Sequence, residues 1–298
     1  MDHDVLTPFM LENATVRGRI VRLHASANTI LTRHAYPDVV SKVLGEALVI
    51  ASMLSSQLKQ DGIFTLQIRG DGPISLLVVD AVYGGALRGY ADIMPEHEAK
   101  LRASASISLR DLFGQNSYFA ITLDPGEGMQ RYQGVVALEG DTLADALQAY
   151  FTHSQQLAVQ CITASARTDS GQWQAGGMMI EHIADTGGVS SLEADAEDSW
   201  RYAQAMLRTV SHDELLSDAH THDSLLLQLF HESGVIMYPQ HALSVGCRCS
   251  RERIYDLLMS MPIADRMDTL VDGKTSVHCQ FCNQTEVFLP NEIGLSLN

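Results

Sequence analysis

Cys247-Arg248-Cys249, then twenty-nine residues, then Cys279-Gln280-Phe281-Cys282: this stretch holds four of the chain's five cysteines and governs the reading of everything before it. Paired thiols at this spacing suit a tetrahedral metal, above all zinc held by four thiolates. A C-x-x-C turn aims two sulfurs at one point from a short knuckle. The C-x-C half is less usual. Thiols two residues apart can both ligate a metal, and they can also join each other in a small, strained ring. The same four side chains, Cys247, Cys249, Cys279 and Cys282, therefore suit zinc when reduced and two local disulfides when oxidised. On spacing alone such a site is as readily structural as regulatory. The fifth cysteine, Cys161, stands apart and has no assigned role.

Around the cysteines a module is expected over 241–298. Ser250 is placed to cap a helix at 251–260 with Ile254, Leu257 and Leu258 on one face. Pro262 opens a second short helix. Asp272-Gly273 turns into a strand that delivers Cys279, and Val287, Phe288 and Leu289 form a closing strand. Fewer than sixty residues hardly build a self-sufficient core. A zinc thiolate site adds about 10–16 kcal/mol of apparent folding energy, enough to decide whether the module folds.

Upstream, residues 185–240 are expected to be an acidic linker followed by metastable helices. Residues 184–198 carry five acids and no base, which predicts a loop. Helices follow near 198–210, from Ser211 with Glu214 completing a capping box, and over 222–231 with Leu225, Leu226, Leu229 and Phe230. Isolated helices this short are marginal in water, so they depend on docking.

Residues 1–184 read as an α+β domain. A strand is expected at 14–24 with Gly18 as a bulge, and a long buried helix at 38–58. Strands follow at 63–69 and 74–80 around the turn Gly70-Asp71-Gly72-Pro73, then after Gly84-Gly85, then at 117–123 and 131–139. A helix covers 142–152, with strands at 157–165 and 177–183. The overall expectation is a mixed α/β core domain, a helical linker region and a small zinc-binding module.

The 298 residues carry a net charge of −16, which argues against nucleic acid as a partner. The acidic N-terminus has no signal-peptide pattern, and the apolar run near Ala47–Leu54 is too short to span a membrane. A cytoplasmic protein without a membrane partner is expected, and there clustered cysteines are ligands or redox sensors rather than permanent staples. No Walker-type phosphate loop is present, so no use of ATP is expected. Asp124, Glu127 and Asp141 read as solvated acids, and His24, His34, His153 and His231 have no spacing that marks a site. His278 adjoins Cys279, but four cysteines already satisfy zinc.

These residues also carry a resemblance. Lys59-Gln60-Asp61-Gly62, Gln67-Ile68-Arg69-Gly70-Asp71-Gly72-Pro73, Tyr150-Phe151-Thr152-His153-Ser154-Gln155 and Ala175-Gly176-Gly177-Met178 occur in order. Leu229-Phe230-His231-Glu232 and Cys247-Arg248-Cys249-Ser250-Arg251-Glu252-Arg253 follow, then Cys279-Gln280-Phe281-Cys282-Asn283. Together they resemble the heat-shock protein 33 family, redox-regulated 33-kDa chaperones of the bacterial cytosol. The match departs after Asn283, where an aromatic residue common in the family is shifted or lost. The resemblance implies a chaperone and not an enzyme. Its reduced form, holding one zinc, is inactive. Oxidants together with unfolding conditions convert the cysteines to disulfides, Cys247 to Cys249 and Cys279 to Cys282 by carry-over, and zinc leaves. The zinc module and linker then unfold, the protein dimerises, and it holds unfolding client proteins without ATP.

Two other readings stand beside this one. A thiol-disulfide oxidoreductase would use Cys279 and Cys282 catalytically. It predicts an exposed thiol of low pKa and no tight zinc. A nucleic-acid-binding zinc ribbon would use Arg248, Arg251 and Arg253, against the acidic net charge.

Overall fold

A computed structural model of the chain describes residues 4–12, 15–56, 58, 62–126, 128–183 and 190–295. It divides into two compact units, Met1–Val245 and Gly246–Asn298.

The first unit begins with a hairpin of β1 (Val5–Leu11) and β2 (Val16–Leu23), then α1 (Ala25–Thr32) and α2 (Asp38–Ser55). Strands β3 (Ile63–Arg69), β4 (Ile74–Val82) and β5 (Ala86–Ile93) follow. Two short helices, α3 (Glu98–Ala103) and α4 (Leu109–Phe113), lead to β6 (Tyr118–Asp124) and β7 (Tyr132–Ala137). Next come α5 (Leu143–Tyr150), β8 (Val159–Arg167) and β9 (Trp173–His182). Three helices, α6 (Ser190–Thr209), α7 (His212–Leu216) and α8 (His222–Phe230), precede the short strands β10 (Val235–Met237), β11 (His241–Ala242) and β12 (Ser244–Val245). Two sheets result. One has the order β10-β1-β2-β9-β8 with β11 also on β1, and the other β12-β5-β4-β3-β6-β7. The expected α+β class holds.

Helix α2 lies between the sheets. Fourteen of its eighteen residues are buried, against Leu6, Val21 and Ala175 of one sheet and Phe64, Leu66, Leu77 and Leu87 of the other. A helix apolar on nearly every side is stable only in such a position. The turn at 70–73 joins β3 to β4 as expected, and Gly72 donates its N–H to the Phe113 carbonyl at 2.9 Å. The segment 59–62 that would end the long helix lies largely outside the described residues, and α2 stops at Ser55 rather than 58.

Several expectations need correction. Gly18 is not a bulge, because both its pairings run in unbroken register. A Cβ there would sit 2.2 Å from the Phe9 ring and 2.8 Å from the Met179 carbonyl, so close approach is what demands glycine. Strand β1 was not anticipated. It contains Pro8, which has no N–H for a ladder. The Pro8 carbonyl accepts from Tyr238 where the neighbouring chain passes between β10 and β11, so the missing donor falls at a break in pairing. The expected acidic loop is helical from Ser190, and residues 184–189 lie outside the described residues. Ala, Leu and Glu favour helix.

The outer face of the first sheet is covered by α6, α7 and α8. Phe9, Leu11, Val16, Ile20, Met178 and Ile180 pack against Trp200, Leu207, Leu215, Leu226 and Phe230. Gly176 and Gly177 make both contacts of β9 close. A Cβ on Gly176 would approach the Leu215 carbonyl to 2.9 Å, and one on Gly177 would approach Val49 of α2 to 2.7 Å. Polar ties fix the cover. Buried Arg22 donates to the Leu215 carbonyl at 3.0 Å and to the His220 carbonyl at 2.7 Å, and His222 Nδ1 lies 2.7 Å from the Thr7 hydroxyl. Strands β10 to β12 pair with β1 and β5, so residues 241–245, expected in the last module, belong to the first unit.

The second unit holds α9 (Arg251–Ser260), α10 (Ile263–Asp268) and a three-stranded sheet of β13 (Leu270–Val271), β14 (Lys274–His278) and β15 (Thr285–Phe288). Its buried apolar cluster among the described residues is Leu258, Phe288, Ile293 and Leu295. Ile254 is half-buried as expected, but Leu257 is 62% exposed. Arg266 is buried and donates to the Ile293 carbonyl at 2.7 Å. Four apolar side chains are a slender core for fifty-odd residues.

Candidate metal centre

The four expected cysteines come from two segments of the second unit. Cys247 and Cys249 lie directly before α9, outside any helix or strand. The Ser250 hydroxyl accepts from the Arg253 N–H at 3.2 Å, which fixes the turn into the helix one residue after Cys249. Cys279 follows β14 immediately. The N–H of Asn283 donates to the Cys279 carbonyl at 2.9 Å, and the N–H of Cys279 to the Gln284 carbonyl at 2.9 Å. Asn283 adopts a left-handed φ of 59°, and the pairing of His278 with Thr285 closes the loop beneath it. The result is a strand-knuckle-strand that presents Cys279 and Cys282 together.

All four Sγ atoms lie within 4.8 Å of one another. Cys247 and Cys279 approach to 3.6 Å, and Cys249 and Cys282 to 3.3 Å. A regular tetrahedron of sulfurs around zinc, with Zn–S near 2.3 Å, has edges of about 3.8 Å. The thiols are free and half-buried. This donor set fits a metal ion held by Cys247, Cys249, Cys279 and Cys282.

The electrostatics agree. Burial raises the Cys247 thiol, but the Cys249 N–H and the thiols of Cys249, Cys279 and Cys282 outweigh it by hydrogen bonding and bring it down to about 6. Cys249 is pushed up, first by burial and then by Cys247, and Cys282 is also raised, chiefly by burial. Protonated neighbours support one thiolate, whereas four thiolates at this spacing need a cation among them.

Arg251 ties α9 to the knuckle side. It donates to Glu286 at 3.1 Å, to the Val287 carbonyl at 2.9 Å and to Glu292 at 2.7 Å, and lies 4.2 Å above the Phe288 ring. Those partners are thirty-five or more residues away, so no local pattern announced this role. Arg253 folds back on the Arg248 carbonyl at 2.9 Å. Of the arginines weighed as a nucleic-acid surface, Arg251 is thus spent on carboxylates and Arg253 on its own loop. His278 is bonded to Thr285 at 3.0 Å and stands outside the sulfur cluster. A thiol oxidoreductase wants an activated sulfur at a helix start. Here Cys282 is raised and sits in a knuckle between strands. Cys161, on β8 of the first unit, is pushed up by burial and then by Glu46.

Comparison with known proteins meets this geometry. The sequence profile of the family described as Hsp33 protein matches residues 4–288. A 33 kDa chaperonin of Caulobacter vibrioides is 38% identical over 287 residues, covering 94% of this chain and 93% of that relative. A 33 kDa chaperonin of Escherichia coli O7:K1 is 35% identical over 294 residues, covering 98% and 94%. The crystal structure of the 33 kDa chaperonin of Thermotoga maritima shares the fold, with a TM-score of 0.80 over 98% of this chain and 97% of that one at 22% identity. With a profile match over nearly its whole length and full-length relatives above a third identical, this chain belongs to the Hsp33 protein family.

Proposed function

We propose that this chaperone is a redox-regulated, ATP-independent holdase, inactive when its cysteines are reduced and zinc-loaded and active when they are oxidised. The observation that carries the reading is the convergence of four thiols in a unit with only four buried apolar side chains among its described residues. Zinc, when bound, would hold Cys247, Cys249, Cys279 and Cys282 as thiolates and join the segment before α9 to the knuckle after β14.

Thiolates are the species that oxidants attack. One thiolate of a pair attacks the O–O bond of hydrogen peroxide, giving a sulfenic acid and releasing hydroxide. The neighbouring thiol displaces water from it and closes the S–S bond. Each disulfide thus forms by a two-electron oxidation that reduces one peroxide to one water and one hydroxide, which a proton from solvent turns into a second water. Pairing Cys247 with Cys249 and Cys279 with Cys282 leaves no thiolate to hold a metal, and the unit loses most of the energy that folds it. Beyond the short strands β12 to β10, helices α6 to α8 cover the apolar face of Phe9, Leu11, Ile20 and Met178. Their loosening would expose that face to clients and to a second copy of the chain, giving the active dimer.

The test is light scattering from a denaturant-unfolded client diluted into buffer. One sample of the protein is reduced and zinc-loaded, and the other is treated with peroxide at elevated temperature while a chelating dye reads released zinc. Suppression by the oxidised sample alone, with zinc release, is the expected result. Equal suppression by both would leave a constitutive holdase with a structural metal.

A further inference from the structure

The first unit contains a cleft of about 370 Å³, separate from the cysteine cluster, whose chemistry the chaperone reading does not use. It opens where the end of α2, strands β3, β6 and β7, and the chain entering β8 come together. Its floor is apolar and buried, since Phe64, Ile121 and Tyr150 are each 3% exposed or less. Its rim is apolar and open, since Tyr132 and Leu157 are each 40% exposed or more. The rim is shaped by a π-helical turn at Phe151–Gln155, closed by Gln156 at a φ of 55°. Such turns are uncommon and gather at functional sites. The volume falls at the lower end of small-ligand cavities, about 300–1,000 Å³.

One end of the cleft is charged. Among the described residues lining it, Arg17 and Glu181 are the only ionic groups. Arg17 touches Glu181 through Nε, and its two terminal nitrogens have no partner among the described residues. Glu181 is also held by Arg19 at 3.1 Å, and Arg19 turns its Nε to Ser56 at 2.7 Å. Among the described residues, two arginines against one carboxylate leave one net positive charge at this end. In a chain of net charge −16, that is a local reversal of sign facing an apolar slot. Arg17 is half-exposed, and its guanidinium edge is a fork suited to a carboxylate.

We propose that this cleft binds a single-chain carboxylate amphiphile, a medium-chain fatty acid, with its tail along Phe64, Leu123 and Tyr150 and its head on Arg17. The tail would exclude water from the floor, and the head would add a second partner to Arg17 without displacing Glu181. The site is complete in the first unit and does not depend on the state of the cysteines.

The experiment uses the full-length, reduced, zinc-loaded chain, titrated calorimetrically with decanoate and with decanol as the uncharged analogue. Leucine methyl resonances report the location. Decanoate is expected to bind about tenfold more tightly than decanol. Arg17→Gln should weaken decanoate about tenfold and leave decanol unchanged. Leu157→Trp, a change at an exposed position, should weaken both, and the wild-type methyl shifts should centre on Leu54, Leu123 and Leu157. Equal affinity for the two probes, no binding of either, or shifts confined to other leucines would overturn the proposal. Capture of anionic phospholipid vesicles without uptake of decanoate would also overturn it, by showing a membrane-surface site instead.

Discussion

Gly18 and Cys282 show how differently single residues act in the two units. At Gly18 any side chain collides with the Phe9 ring and the Met179 carbonyl, both in a packed sheet. Gly18→Val should cost roughly 1–3 kcal/mol, read as a lower urea midpoint of the first unit with the zinc content unchanged. At Cys282 the loss would be one of the four thiols that could hold a metal ion. Cys282→Ser should weaken zinc by more than about a hundredfold, since changes around a metal site that spare the ligands already cost 10–100-fold. Competition with a chromogenic chelator measures it, and an unaltered zinc affinity would remove Cys282 from the site. The cysteines were legible because ligand spacing is local in sequence. Gly18 was misread because a strand glycine marks either a bulge or a close approach, and only the partner across the ladder tells which. Arg251 was legible only as a charge, its role resting on Glu286, Glu292 and Phe288 far along the chain.

At the scale of elements, the cover formed by α6, α7 and α8 carries its own pH dependence. His222 opens α8 against Thr7 of β1, and burial, followed by nearby Arg22, lowers its pKa to about 3. A histidine depressed in the folded state stabilises it fully above the unfolded value near 6.5, and that contribution is lost as pH falls toward 3. The slope is about 1.4 kcal/mol per pH unit in that window. His222→Gln should flatten the fall in thermal midpoint between pH 6.5 and 4, followed by circular dichroism; an identical pH profile would show that His222 is not the group responsible. The capping box of Ser211 and Glu214 made α7 visible in the sequence, and leucine spacing made α8 visible. The start of α6 was hidden because five acids in fifteen residues read as a solvated loop, although the same Glu and Ala residues favour helix. Strand β1 was hidden by Pro8, tolerated only because its neighbour's pairing lapses at that point.

For the whole molecule, the two units differ in what holds them. The first has a continuous core around α2, and the second has, among its described residues, four buried apolar side chains and four thiols. That contrast was readable from length, since a segment under sixty residues with paired cysteines points to a metal as its main support. The exact boundary was not readable, because the pairs formed by β11 and β12 are two residues each and carry no pattern of their own. Those small ties should nevertheless act as a firebreak. Disorder spreading back from the cysteines meets β12 held to β5, then β11 and β10 held to β1, before it reaches α8. Oxidation alone should therefore stop at Val245, and heat should be required to part the ties. Trypsin on peroxide-treated protein should cut first after Arg248 in the cold and after Arg201 and Arg208 only on warming. Simultaneous cleavage at all three in the cold would mean that the flame never meets a gap.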